Sequence, residues 1–336
     1  MKVIEELNIE EFRGIRKLAK PLKLADFNVI IGRNNTGKTA ILEALYLLPC
    51  PWSGISMPIV ERSTIALISR LHGGTARALI YGYSGEARIS FKTSKLNIEF
   101  ILNSERGDLL EKVLINGEEM NLSSYRQRIA KAYGYEDTNQ AFSLAFYIPN
   151  DTEVLHELQQ RILDEPIWNA IIKEGHHRKV VKDIICPTVY DKFTEALIER
   201  DRLKLRKEIN DEIGPLYIDV ADLGEGIERI LTMALCLEYL KPKLVLWDDI
   251  ETAAHPGLLE TTLKWLANKP WQVLITTHSI DVLYELTQVQ PRECNIIALR
   301  KSQDDIVDYR IMTIDEIEEL LDKGLDIRKL IDVLKL

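Results

Sequence analysis

The stretch with the clearest chemical signature is GRNNTGKT, at residues 32–39. It matches GxxxxGKT, a pattern in which glycines let backbone N–H groups curl around a phosphate, the lysine reaches the outer phosphate oxygens and the threonine hydroxyl ligates Mg²⁺. The loop follows the apolar run FNVII and opens the helical pattern TAILEALYLL, whose positive end would face the phosphates. We therefore predict a nucleotide site with Mg²⁺. The residues predicted to contact the nucleotide here are Gly32, Arg33, Asn34, Asn35, Thr36, Gly37, Lys38, Thr39 and Ala40.

A second chemical feature is the pair of carboxylates, Asp248 and Asp249, at the end of the apolar run KLVLW. A buried carboxylate is costly unless a cation meets it. Asp248 is predicted to hold Mg²⁺ opposite Thr39, so Thr39 and Asp248 form the predicted metal site. A guanine-specific switch protein is excluded, because the stretch NKPW at residues 268–271 lacks the aspartate of a base-reading NKxD motif.

Composition places the chain among soluble globular proteins. Its 336 residues allow one large domain or two ordinary ones, and 46% of them are hydrophobic and 28% charged. No apolar run approaches the roughly 18 residues that span a bilayer, and the acidic start MKVIEELNIEEF is unlike a signal peptide. Four scattered cysteines without a CxxC pair indicate neither a zinc site nor a disulfide framework. We expect a cytoplasmic protein with no membrane partner.

The net charge of −9 argues against nucleic-acid binding by the surface as a whole, although a local basic patch can still attract phosphates. Two stretches are candidates, residues 173–182 (KEGHHRKVVK) and residues 200–207 (RDRLKLRK). Acidic residues are interleaved with both, so a solvated helix face is the favoured interpretation of each.

The patterns along the chain change from β-rich to helical and then to alternating β and α. Strand-like stretches before residue 120 include RALIYGY, EARISFKT and LNIEFIL, and the charged, helical middle is broken by the strand-like LAFYIP. We therefore expect one discontinuous α/β domain over residues 1–336. Its core is predicted at about 1–120 and 216–336, with an inserted, mostly helical lobe at about 121–215.

Five stretches in order resemble ABC-type ATPases of the SMC, RecF and OLD (overcoming-lysogenisation-defect) group. They are EFRGI before GRNNTGKT, DLGEGIERILTMAL in the place of the signature loop, LVLWDDIETAAHP as Walker B strand and D-loop, VLITTHSIDVL as the switch-histidine strand, and GLDIRKL, similar to a Gly-x-Asp-x-Arg pattern of OLD-like members. The resemblance implies a P-loop NTPase fold: an ABC-type ATPase head with an antiparallel β lobe and an inserted helical lobe, which binds ATP with Mg²⁺.

The resemblance also assigns roles around Asp249. This residue takes the place of the family's catalytic glutamate, which orients or deprotonates the attacking water, but its side chain is one methylene shorter. A carboxylate that lies about 1.5 Å farther from the water could cost about a hundredfold in rate. Glu251 could then substitute as the base, or hydrolysis could be weak or absent. His278 resembles the switch histidine and is predicted to sense the γ-phosphate, with a helix cap at Ser279 as the alternative.

The segment GEGIER, which begins at Gly224, stands where the family's signature loop reaches the ATP of a partner chain. The usual serine is missing, and Gly224 and Glu225 occupy its place. Glu225, Gly226 and Arg229 are predicted to contact nucleotide in this way, through N–H donors at the helix start, with a plain helix cap as the alternative. Arg13, in EFRGI, is predicted to face the nucleotide or a DNA surface, with a surface salt bridge as the alternative.

The function implied by the resemblance is an ATPase whose homodimer sandwiches two ATP·Mg molecules and whose hydrolysis drives a partner protein or a DNA transaction. The alternative is a nucleotide-dependent binding or regulatory module with weak or no hydrolysis. A membrane-transport ATPase is disfavoured, because neither a Gln-loop nor LSGGQ is recognisable. The residues after His278 are too few for the Toprim nuclease of full OLD proteins, so we expect any nuclease to be a separate partner.

Overall fold

The structure, a computed structural model of the chain, describes residues 2–209 and 214–330. Its strands are β1 (Glu6–Phe12), β2 (Ile15–Leu18), β3 (Leu22–Lys23), β4 (Phe27–Gly32), β5 (Glu86–Lys92), β6 (Asn97–Asn103), β7 (Leu110–Ile115), β8 (Glu118–Glu119), β9 (Ala145–Ile148), β10 (Phe193–Glu199), β11 (Arg202–Lys207), β12 (Leu216–Asp219), β13 (Leu244–Trp247), β14 (Gln272–Thr276), β15 (Cys294–Lys301) and β16 (Ile306–Met312). Its α-helices are α1 (Lys38–Tyr46), α2 (Thr64–Leu71), α3 (Leu122–Tyr133), α4 (Thr152–Ile162), α5 (Glu165–Lys173), α6 (His176–Val180), α7 (Glu225–Leu240), α8 (Pro256–Ala267), α9 (Ile280–Val289), α10 (Ile314–Asp322) and α11 (Ile327–Leu330). Within these described ranges, no helix is both long and apolar enough to cross a membrane.

The large sheet has an antiparallel half and a parallel half. Its strand order is β8-β7-β6-β5-β1-β2-β16-β15-β4-β14-β13-β9, with β3 beside β1. The strands β15, β4, β14, β13 and β9 run parallel to one another. The apolar runs LVLW of β13 and QVLIT of β14 are fully buried, as is usual for parallel strands that are covered on both faces. This mixed sheet confirms the predicted α/β class, and it brings the polar residues that follow the parallel strands to one edge.

The stretch at 121–215 differs from the predicted helical lobe in two respects. The helices α3, α4, α5 and α6 are present, but β9 belongs to the large sheet, where Ile148 pairs with Trp247. The strands β10, β11 and β12 form a separate antiparallel sheet. The prediction of a helix face at 200–207 is therefore wrong. RLKLRK alternates with period two and buries Leu205 in the middle of β11, which is a strand pattern.

Two further differences lie before residue 120. EARISFKT and LNIEFIL form β5 and β6 as predicted, but RALIYGY does not form a strand: it folds as two 3-10 turns, with Gly82 at φ 63°. The helix α2 was not expected. It begins after Ser63, whose hydroxyl accepts a hydrogen bond from the Ala66 N–H at 3.2 Å, and it buries one face of TIALISRL. Its β-branched residues favour a strand locally, and packing of that face overrides the preference.

The side chain of Gln272, at the start of β14, joins three parts of the chain inside the protein. Its Oε1 accepts hydrogen bonds from the N–H groups of Val3 and Ile4, both at 2.9 Å. Its Nε2 donates to the carbonyls of Ile4 at 2.8 Å and Ala25 at 2.9 Å. One buried amide therefore satisfies four backbone groups that water does not reach, and it fixes the residues that lead into β1 against the parallel strands.

Replacing this amide with an apolar side chain should be costly. We expect Gln272→Leu to lower the free energy of unfolding by at least about 3 kcal/mol. Four backbone groups lose the amide, and within the described part of the chain the Ala25 carbonyl alone keeps a second donor, Asn28. Each unpaired buried group costs about 1–3 kcal/mol. Urea unfolding measures the change. Gln288→Leu, at an exposed glutamine of α9, is the matched control and should stay within about 0.5 kcal/mol of wild type. Equal urea midpoints for the two variants would contradict the role of Gln272.

Candidate nucleotide site

The loop GRNNTGKT joins β4 to α1, as the sequence predicts. Gly32 has no room for a side chain, because a Cβ there would lie 2.6 Å from the Thr36 hydroxyl and 3.1 Å from the Leu299 carbonyl oxygen. Gly37 has φ 100°, in the left-handed region, and a Cβ there would lie 2.8 Å from Ile15. The two glycines are therefore required by the path of the loop, which turns its backbone into the start of α1.

Lys38 lies across the inside of this loop. Its Nζ donates to the carbonyl oxygens of Gly32 at 3.1 Å and Arg33 at 3.2 Å, and the residue is only 6% exposed. Burial lowers the pKa of Lys38, while the carboxylates of Asp249 and Asp248 oppose that shift. The ammonium group is thus held by weak neutral acceptors, which phosphate oxygens can replace with stronger, charge-assisted hydrogen bonds.

The two predicted metal ligands are in direct contact. The Thr39 hydroxyl donates to Asp248 Oδ2 at 2.9 Å, and the Thr276 hydroxyl donates to Asp248 Oδ1 at 2.6 Å. Asp248 is 5% exposed, and burial raises its pKa to about 6, with the neighbouring charge of Asp249 adding to the shift and the two hydroxyls opposing it. A buried carboxylate beside a hydroxyl is the oxygen donor set that Mg²⁺ prefers. The residues present therefore fit the metal.

Asp249 borders the same site as the phosphate loop, and its backbone lies in the left-handed region. Its φ is 45°, and its N–H donates to the Thr276 hydroxyl at 2.8 Å. Its Oδ2 accepts from the Asn150 amide at 3.2 Å, and its Oδ1 lies 3.9 Å from His278 Nε2. Asn150 was not among the predicted site residues, because the strand that precedes it, β9, was assigned to the inserted lobe. The available signal was a polar residue directly after the apolar run AFYIP.

The predicted substitute base, Glu251, is directed elsewhere. Its Oε1 accepts a hydrogen bond from the His278 backbone N–H at 2.6 Å. Its Oε2 is buried and has no hydrogen-bond partner among the described residues. Glu251 therefore contacts the backbone of the switch histidine, and its carboxylate is not among the groups that border the nucleotide cavity.

An open cavity of 310 Å³ lies at this edge of the sheet. Most of the residues predicted to form the site line this cavity. Its lining residues are Arg13, Gly14, Asn34, Asn35, Gly37, Lys38, Thr39, Ala40, Asp249 and His278. The cavity thus joins the phosphate loop, the end of β13 and the switch histidine in one space.

Arg13 borders the cavity and is anchored behind it. Its Nε donates to Glu43 Oε2 at 2.8 Å and its Nη1 donates to the Ala78 carbonyl at 2.9 Å. Glu43 is fully buried on α1, where it also contacts His72. The ion pair of Arg13 is therefore with an interior carboxylate, which differs from the surface salt bridge that was the alternative.

The signature segment lies outside this cavity. Glu225 and Gly226 begin α7, and Gly226 packs so closely on the D-loop that a Cβ would lie 2.2 Å from the Ala253 carbonyl oxygen. Arg229 is 1% exposed, and its Nη2 donates to the Pro149 carbonyl at 3.1 Å. The guanidinium of Arg229 thus lies inside its own chain, and contact of Arg229 with nucleotide stays a prediction. The contacts of Glu225 and Gly226 with nucleotide also remain predictions.

The loop GxxxxGKT joins a strand to a helix. A histidine follows the neighbouring parallel strand β14, and an aspartate follows the next strand, β13. Together these features define a P-loop nucleoside triphosphatase. The chain belongs to the family described as "AAA domain, putative AbiEii toxin, Type IV TA system", whose profile matches residues 27–284, more than half of its length. A second profile, of a protein family of unknown function, matches residues 2–51.

Solved structures with the same fold include SMC heads. The SMC head bound to the C-terminal winged-helix domain of ScpA has a TM-score of 0.64 and 13% identity, with 94% of this chain and 99% of that one covered. The SMC head domain from Thermotoga maritima has a TM-score of 0.54 and 14% identity, with 92% and 98% covered. These similarities confirm the predicted P-loop NTPase fold. Together with the family match over residues 27–284, they support the predicted SMC/RecF/OLD-like ATPase class.

Curated relatives agree at low identity. An "ATP/GTP phosphatase" of Helicobacter pylori is 22% identical over 334 residues, which covers 85% of this chain and 88% of the relative. An uncharacterized protein of Methanocaldococcus jannaschii is 24% identical over 295 residues, which covers 73% of this chain and 86% of the relative. With the family match and the fold, these relatives support an ATPase of the AAA and SMC-like type.

Asp248 should cost stability when no cation is bound. Its pKa is raised from 3.8 to about 6 in the folded protein, so the protonated carboxyl is compatible with folding at low pH and stability is lost as the pH rises through 6. Without divalent metal, we expect Asp248→Asn to raise the free energy of unfolding by about 2 kcal/mol at about pH 8 and by little at about pH 4. Urea unfolding in chelator at both pH values measures this.

The matched control is Asp304→Asn, at an exposed aspartate, which should change stability little at either pH. Addition of Mg²⁺ and ATP should stabilise the wild type more than Asp248→Asn. A variant that is less stable than wild type in chelator at about pH 8 would contradict the expected cost of the buried charge.

Proposed function

We propose that the chain is a Mg²⁺-dependent ATP hydrolase that acts as a homodimer around two ATP molecules. The observation that carries the proposal is the contact of Thr39 with Asp248 beside Lys38, with Asp249 and His278 across the same cavity. Five side chains from three separate parts of the sequence converge on the space that the phosphate loop surrounds. Each has a role in phosphoryl transfer to water.

Binding and charge neutralisation come first. Lys38 exchanges the carbonyls of Gly32 and Arg33 for phosphate oxygens, and the N–H groups at the start of α1 donate to the same anion. Thr39 and Asp248 would hold Mg²⁺, which would offset the negative charge of the β- and γ-phosphates. The absence of a base-reading NKxD motif is consistent with ATP as the substrate.

Asp249 then acts on the attacking water. It accepts a proton as the water oxygen bonds to the γ-phosphorus and the bond to the β,γ-bridging oxygen breaks, which releases ADP and phosphate. Asn150 holds the carboxylate through Oδ2, and His278 lies 3.9 Å from Oδ1, where its ring can contact the γ-phosphate. The short side chain of Asp249 favours slow turnover.

A homodimer is supported by the half-open form of the site. The cavity is lined by one chain's phosphate loop, while Glu225 and Gly226 lie outside it, next to the D-loop. In this arrangement a second copy supplies the α7 N-terminus to the open side, where its N–H groups meet the γ-phosphate. Hydrolysis removes that contact and releases the dimer.

The molecule on which the ATPase acts is a separate question. We propose that it is a partner protein, such as a nuclease or another effector, rather than DNA. The structurally similar SMC head is bound to a domain of another protein, ScpA. The basic strand β11 offers little free charge to DNA, because its cationic side chains are paired with carboxylates. The pairs are Arg202–Asp219, Lys204–Glu199, Arg206–Glu208 and Lys207–Asp191.

Steady-state phosphate release tests the hydrolysis. With ATP and Mg²⁺ we expect turnover by the wild type and background release by Lys38→Ala; GTP is measured in parallel because one relative is an "ATP/GTP phosphatase". Asp249→Glu restores the longer acid and should raise kcat by up to about a hundredfold. Equal release by wild type and Lys38→Ala would overturn the hydrolase and favour a nucleotide-dependent binding module.

Light scattering with ATP tests the sandwich. We expect Asp249→Ala to accumulate as a dimer in the presence of ATP and Mg²⁺, since it binds nucleotide without consuming it, while Lys38→Ala stays monomeric. The wild type should form the dimer transiently or with a nonhydrolysable ATP analogue. If Asp249→Ala remains monomeric at saturating ATP, the homodimer proposal fails even if hydrolysis is observed.

A further inference from the structure

The backbone of the switch histidine is held from both sides. The N–H of His278 donates to Glu251 Oε1 at 2.6 Å. The carbonyl oxygen of the same residue accepts a hydrogen bond from Arg328 Nη1 at 2.6 Å. Glu251 comes from the segment after β13 and Arg328 from α11 near the C-terminus, so two distant parts of the chain meet at one residue.

Arg328 is itself fixed in orientation. Its Nε donates to Asp326 Oδ1 at 2.9 Å and its Nη2 donates to Asp326 Oδ2 at 2.7 Å, a two-point pairing of guanidinium and carboxylate. The Arg328 backbone N–H also donates to Asp326 Oδ1 at 3.0 Å. This pairing leaves Nη1 pointing at His278. The pairing with Asp326 within the sequence DIR, residues 326–328, therefore holds Arg328 Nη1 in the orientation that donates to the His278 carbonyl.

The side chain of His278 has little support of its own. It is 42% exposed, and its Nε2 lies 3.9 Å from Asp249 Oδ1, beyond hydrogen-bond distance. The position of the ring is consequently determined by the backbone that carries it. Because His278 follows the end of β14, that backbone has left the hydrogen-bond ladder of the sheet, and the contacts from Glu251 and Arg328 take the place of the ladder.

We propose that Glu251 and Arg328 are positioning residues for His278: they fix the peptide groups on either side of its Cα so that the imidazole meets the γ-phosphate beside Asp249. The proposal rests on the proposed function, since it assigns no chemistry to either residue. It replaces the expectation that Glu251 substitutes as a base, and it makes the C-terminal segment at Asp326 and Arg328 part of the hydrolytic site.

The test compares Glu251→Ala, Glu251→Gln and Arg328→Ala, each alone and combined with His278→Ala, by kcat and KM for ATP. We expect Glu251→Ala and Arg328→Ala to lower kcat by about 10- to 100-fold with KM changed less than about threefold, since only the alignment of one contact is lost. Glu251→Gln keeps a carbonyl acceptor for the His278 N–H and should retain activity within about threefold. In the His278→Ala background, none of the changes should lower kcat further.

Arg310→Ala is the matched control. Arg310 pairs with Glu316 at 3.3 Å in the same C-terminal region but away from His278, and its loss should leave kcat unchanged. A second measurement is the ratio of ADP to ATP dissociation constants, which reports γ-phosphate contact without turnover. Arg328→Ala and His278→Ala should reduce this ratio equally, and Arg310→Ala should not change it.

The outcomes separate the two proposals. If wild type and Lys38→Ala release phosphate equally, the hydrolase fails, and the dissociation-constant ratio alone decides on the positioning role. If the wild type hydrolyses ATP but Arg328→Ala is unaffected, or its loss adds to that of His278→Ala, the positioning role is overturned. A loss by Glu251→Gln as large as that by Glu251→Ala overturns it for Glu251 and returns that residue to acid–base chemistry.

Discussion

The arrangement of the nucleotide site depends on one buried carboxylate held between two hydroxyls. Asp248 accepts from Thr39 on one side and Thr276 on the other, so the phosphate loop, β13 and β14 meet at a single side chain. This contact requires that β14 lie between β4 and β13 and that the carboxyl ends of all three coincide, which the pairings Thr276–Ile30 and Trp247–Ile275 provide. A charge in that position destabilises the empty protein and favours the state in which a cation is bound.

Much of the nucleotide half could be predicted from sequence, because its signals are local. GRNNTGKT combines a loop motif with its strand and helix, and the parallel strands are continuous apolar runs that end in Asp248 and His278. Asn150 also follows an apolar run, AFYIP, but that run alone does not place it beside Asp249. Its role follows from the pairing of β9 with β13, a contact between residues about a hundred positions apart that no short pattern encodes. The hydrogen bond from Arg328 to the His278 carbonyl could not be predicted for the same reason, because it joins residues that are far apart in the sequence.

The middle of the chain was harder to predict because its local preferences conflict. TIALISRL contains β-branched residues but forms a helix, and RLKLRK contains good helix formers but forms a strand whose alternation buries Leu205. In both cases the buried face decided the outcome. The packing of α7 has a related consequence. Gly226 touches the D-loop and Arg229 touches Pro149, so a shift of this helix would be transmitted to both flanks of Asp249.

The place of β4 in the sheet also bears on how the chain is made. The strand that leads into the phosphate loop is synthesised well before its neighbours on both sides, β14 and β15, which come from residues 272–301. Closing a loop of this length is slow, because its entropy cost arises before the strand pairing that offsets it. A ribosome-bound or prematurely ended chain would carry the whole GRNNTGKT sequence without the sheet that shapes it. The phosphate loop is therefore supported on both sides only after residues 272–301 have been synthesised and have paired with β4, and nucleotide affinity depends on that pairing.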